Sequence, residues 1–174
     1  MSTITSPPLE RRRLDRFSRR TRNVVLTVHI VVSVGLLGDS AGFLAVAIRR
    51  AVSDDPAFVD ASLDLLGTFA LFFGIPLSFL SLLSGVALGL GTRWGIFRYP
   101  WVIAKLVLIV TVIAVGAIVL RPVLTDENSQ GSAPLIIGSA YDVVALAIAT
   151  TLGVFKPGRA RTARSARATR ESSP

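Results

Sequence analysis

Residues 101–120 read WVIAKLVLIVTVIAVGAIVL, twenty positions with one charged side chain, Lys105. As an α-helix rising ~1.5 Å per residue this stretch is ~30 Å long, the thickness of a bilayer's hydrocarbon core. Three further runs of the same character lie around it, over residues 23–48, 61–90 and 134–155. Arg49-Arg50 and the turn-like Ser53-Asp54-Asp55-Pro56 separate the first run from the second. Arg121-Pro122 closes the third, and the polar stretch Thr125 to Ser132 leads to the fourth. Gly74 and Pro76 interrupt the second run and predict a kink there. The fold class expected is an all-α membrane protein, a bundle of four transmembrane helices spanning residues 23–156.

Composition agrees with that reading. The chain has 174 residues, 51% of them hydrophobic, a mean hydropathy of +0.61 and a formal charge of +8. So apolar a chain carries so much charge only because the charges are segregated into tails and loops. Cysteine is absent, which removes disulfides, thiolate metal sites and cysteine nucleophiles. A single histidine and a single methionine give no metal site within one chain, and no metal is expected.

Lysine and arginine set the orientation. Residues 1–22 hold seven, the loop between the second and third helices two, and the chain from Lys156 onward six. The two opposite loops hold only Arg49, Arg50 and Arg121. The basic side is the cytoplasmic one, so both termini are expected inside. Residues 1–22 and 157–174 read as disordered basic arms, drawn to anionic lipid headgroups rather than to nucleic acid. Trp94 and Trp101 suit anchors at the membrane interface. Ala45-Val46-Ala47 resembles a leader-cleavage site, but its apolar run is too long for a leader. Ser18-Arg19-Arg20 resembles a twin-arginine signal, but no soluble passenger follows it.

Four ionisable residues fall inside spans, where such groups mark a site or a buried partner: His29, Asp39, Lys105 and Asp142. His29 and Lys105 lie ~6 to 9 Å from the cytoplasmic ends of their helices and can share a layer. Asp39 and Asp142 lie ~12 to 14 Å from the outer ends and make a second layer near the midplane. Plain roles exist for each. Lys105 can snorkel to the headgroups, and His29 can bond to Ser33 or to a neighbouring helix. Each aspartate can be glued to a hydroxyl such as Ser40 or Ser139. Should the two carboxylates meet, one holds a proton and a proton-coupled function follows.

Small residues form stripes at Gly38 and Gly42, and at Ser81, Gly85 and Gly89, which let helices approach closely within the bundle or in a homodimer. No phosphate-cradling glycine loop, metalloprotease histidine pair or serine-histidine-carboxylate motif is present. Catalysis of the soluble-enzyme type is not expected.

The chain resembles an uncharacterised four-helix integral membrane protein family of high-GC Gram-positive bacteria. The likeness spans roughly Val24 to Pro157. It rests on His29 with Ser33 to Gly38, on Pro76 with Ser81 to Gly85, on the block Leu90 to Lys105, and on Ala149 to Pro157. The family tends to carry tryptophan where Leu36 stands and histidine where Gly138 stands, and Asp39 is atypical of it. A more distant resemblance, through His29 and Lys105, is to HemJ-type protoporphyrinogen oxidases and copper-resistance D proteins. That likeness implies haem held by His29, with Lys105 or a second chain as the other ligand.

The expectation is therefore a multi-pass protein of the bacterial plasma membrane, a non-enzymatic accessory or scaffold. The alternatives are a haem-binding redox protein using His29 and Lys105, and a small proton-coupled transporter using Asp39 and Asp142.

Overall fold

The computed structural model describes residues 18–91, 100–125 and 131–155. Residues 1–17 and 157–174 of the expected arms, and Trp94 with most of the loop that holds it, lie outside the described residues. Within them are four helices long and apolar enough to cross a membrane: α1 (Arg19–Ala51), α2 (Pro56–Gly91), α3 (Pro100–Thr125) and α4 (Ser132–Phe155). Every described segment is helical or a short connection, with no strand among the described residues.

Local chemistry moves the boundaries outward from where hydropathy alone sets them. Ser18 caps α1, its Oγ accepting from the Thr21 backbone N–H at 3.1 Å, so four residues of the expected arm join the helix. Asp55 caps α2 by accepting from the Ala57 N–H at 3.0 Å, and Pro56 takes the first helical position, where a missing N–H costs nothing. Ser53 to Pro56 is thus a helix start as well as a turn.

The two internal prolines produce the same device. Where a kink was expected in α2, residues Phe69–Gly74 form a π-helical stretch, and the Ile75 N–H reaches back five residues to the Ala70 carbonyl. In α3, residues Gly116–Leu120 do likewise, and the Arg121 N–H bonds to the Gly116 carbonyl. A proline in an α-helix collides with the carbonyl four residues earlier, and a widened turn just before it relieves that clash. Arg121-Pro122 therefore does not close the third helix as expected; α3 continues to Thr125.

The helices pack as an up-down-up-down bundle. α1 lies between α2 and α4, and α3 completes the ring against both. The end of the bundle with Arg19, Gly91, Pro100 and Phe155 is called the near end, and that with Ala51, Pro56, Thr125 and Ser132 the far end. One apolar cluster joins Leu36, Ile109, Val112, Ala145 and Leu146; nearer the far end a second joins Phe43, Ala47, Leu66, Leu120 and Leu135. The outer surface is equally apolar, with Phe72, Leu83, Ile118 and Phe155 at 63–77% exposure. A belt of that kind is compatible with helices that cross a membrane.

Candidate functional site

The near-end layer draws on all four helices. His29 Nδ1 on α1 lies 2.8 Å from Ser84 Oγ on α2, and one turn on, Ser33 Oγ lies 3.2 Å from Ser81 Oγ. Ser84 donates its own hydroxyl to the Leu80 carbonyl at 2.6 Å, so its oxygen is left to accept from the imidazole. That assigns the proton to Nδ1 and the free lone pair to Nε2. Gly85 makes room for the ring: a Cβ there would stand 3.3 Å from His29 Cε1. Of the partners open to His29, the neighbouring helix is therefore the one used, and Ser33 turns to Ser81.

Lys105 of α3 lays its ammonium against the backbone of α4. A Cβ on Gly153 would be 2.9 Å from Lys105 Nζ. Gly153 stands two residues before the end of α4, so the lysine head is carried toward the near end, the direction of a snorkelling side chain. His29 against Gly85 and Lys105 against Gly153 both lie toward the near end of the bundle.

The midplane layer is different in kind. Asp39 turns its carboxylate toward α2, where a Cβ on Gly74 would stand 3.4 Å from Asp39 Oδ2. Asp142 is 7% exposed, on the α4 face that buries Leu135, Gly138, Ser139, Ala145 and Leu146. The Oδ1 atom of each aspartate is buried without a hydrogen-bond partner. These oxygens thus bond neither to each other nor to a hydroxyl. Ser139, an expected partner, donates instead to the Leu135 carbonyl at 2.6 Å.

Each carboxylate sits on a helix that packs against a π-helical turn of a neighbour: α1 against Phe69–Gly74, α4 against Gly116–Leu120. The prolines that cause those turns were visible in the sequence, but their pairing with the aspartates needed the packing. Also unread in the sequence were the 2.7 Å bond from Tyr141 Oη to Thr111 Oγ1 and the burial of Arg50.

The small residues divide. Gly42 receives the Phe69 ring, whose Cε1 would lie 3.3 Å from an added Cβ, whereas a Cβ on Gly38 meets nothing within 4 Å. Gly38 is therefore not a close-packing position inside the bundle. Ser81 is buried at the α1–α2 contact, and Gly89 lies partly buried one turn beyond Gly85.

No three or more histidine or acidic residues come together to hold a metal among the described residues. For haem, the donor set fits poorly. The imidazole is tied to α2 through Ser84, and the Lys105 ammonium is packed against Gly153 on α4. The chain's single histidine leaves no second imidazole. Comparison of the chain with protein families, with curated proteins and with solved structures finds no match.

Proposed function

We propose that this chain is a non-enzymatic, four-pass protein of the bacterial plasma membrane that serves as an accessory or scaffold, with both termini in the cytoplasm. The observation that carries the reading is that its intramembrane polar groups are spent largely on holding helices together. His29 bonds to Ser84, Ser33 to Ser81 and Tyr141 to Thr111, while Lys105 lies on Gly153. Side-chain bonds between helices in lipid act as local fasteners worth ~0.6 kcal/mol on average. The excess of arginine in the arms supports the orientation.

The scaffold reading is tested on protein reconstituted in liposomes. It expects no Soret absorbance after haem is supplied and no proton-linked flux. His29→Ala should lower thermal stability in detergent without abolishing any measurable turnover. Reporter fusions that place the two termini on opposite faces would overturn the orientation.

One observation favours a second reading, a small proton-coupled transporter. Two buried carboxylate oxygens without partners, at Asp39 and Asp142, are costly in a bundle that only needs to pack. A proton flux that disappears in Asp39→Asn and in Asp142→Asn would replace the scaffold with the carrier.

A further inference from the structure

Among the described residues the near-end layer has basic groups and no acid to balance them. Among the described residues the acidic side chains are Asp39 and Asp142 at the midplane and Asp54, Asp55, Asp60 and Asp64 at the far end. Along α4, Asp142 is eleven residues from Gly153, ~16 Å. Along α1, Asp39 is ten residues from His29, ~15 Å. Neither carboxylate can serve as counter-ion to an ammonium lying on Gly153. A lysine in that position is stable when its charge meets an anion, and one is offered from outside the chain at the headgroup level of the bilayer.

The packing around the two basic groups is also selective. Glycine stands at both places where a side chain would press on them: Gly85 beside His29 and Gly153 beside Lys105. Ser84 holds the imidazole by Nδ1, which leaves Nε2 as the ring nitrogen that can bind a proton or an acidic hydroxyl.

We propose that Lys105 and His29, seated against Gly153 and Gly85, form a discrete binding site for the phosphate headgroup of an anionic phospholipid in the leaflet at the near end. The site binds one lipid from between the helices, with Lys105 as the charge and His29 as a hydrogen-bonding neighbour. It is distinct from any diffuse attraction of the basic arms. It depends on the chain lying in a bilayer but not on the scaffold role, so failure here leaves that role standing.

The test uses the full chain, purified in mild detergent from membranes containing phosphatidylglycerol and phosphatidylethanolamine, with bound lipid counted by native mass spectrometry. Wild-type protein is expected to retain one phosphatidylglycerol through a delipidating wash. Lys105→Gln should weaken retention about fivefold or more, the effect of one lysine on an anionic lipid. Gly153→Ala keeps the charge but displaces Nζ, and should weaken retention as well, which guards against misfolding of the first variant. Retention by Lys105→Gln equal to wild type would place the lipid on the arms and overturn the proposal, as would wild-type protein that holds none. Displacement of the lipid by millimolar inorganic phosphate would show a site for free phosphate instead and overturn the assignment to lipid.

Discussion

Leu120 on α3 and Gly138 on α4 are interlocked, with Leu120 Cδ2 only 2.7 Å from where a Cβ on Gly138 would stand. Leu120 has little room to retreat, being buried in a cluster with Phe43, Ala47, Leu66 and Leu135. Val115 Cγ1 closes the same spot at 3.4 Å. Gly138→Ala is expected to destabilise the bundle by about 1–2 kcal/mol through overpacking. Leu120→Ala costs stability alone but relieves the clash, so the double variant should be more stable than the two losses added. Thermal unfolding in detergent over the four proteins measures that coupling, and strict additivity would show that the contact is not felt.

Gly38 gives the contrasting case. Nothing lies within 4 Å of a Cβ placed there. Gly38→Ala should leave the melting temperature of the monomeric bundle unchanged or slightly raised, because alanine is the better helix former by about 1 kcal/mol. A loss comparable to that of Gly138→Ala would mean that Gly38 is covered by something, and a change in oligomeric mass on the same substitution would identify a second copy as the cover.

These two glycines show where sequence reading stops. The four spans were legible because apolar length is a property of each segment alone, and residues 23–48, 61–90, 101–120 and 134–155 all fall within observed helices. The ends were less so. Ser18 and Asp55 have polar side chains that hydropathy scores as loop, yet they satisfy backbone N–H groups and extend the helices, with Pro56 taking the first position of α2. Arg121-Pro122 looked like a stop because proline breaks an α-helix, whereas the π turn at Gly116–Leu120 absorbs it. Gly38 and Gly42 form one stripe in the sequence; only the position of Phe69 on the next helix tells them apart. For the same reason the sequence could place His29 and Lys105 at one depth, but could not show that Ser84 and Gly153 receive them.

The bond between His29 and Ser84 should be measurable as a coupling. Ser84→Ala removes the oxygen that accepts from Nδ1, and His29→Ala removes the donor. Each is expected to lower stability, and the double-mutant cycle should return roughly 0.6 kcal/mol, up to ~1.7, for an interhelical bond in a membrane protein. Zero coupling between His29 and Ser84 would remove the argument that assigns the free lone pair to Nε2.

At the far end, Arg50 makes a prediction that runs against its charge. It is only 6% exposed, and its Nη1 donates to the Val59 carbonyl at 3.3 Å, while Nε is buried with no partner. Val59 does not need it, since Ser62 Oγ donates to the same carbonyl at 2.7 Å. The guanidinium is thus an incompletely satisfied buried cation whose apolar stem continues the α1 face of Phe43 and Ala47. Arg50→Met keeps a stem of similar length and removes the charge, so its stability should lie within about 1 kcal/mol of wild type or above it. Arg50→Ala opens a cavity and should cost about 2 kcal/mol. The neighbouring Arg49 stacks over the Phe58 ring at 5.3 Å from its centroid, and Arg49→Ala should cost only about 0.5–1 kcal/mol. If Arg50→Met proves as damaging as Arg50→Ala, the charge itself fastens α1 to α2.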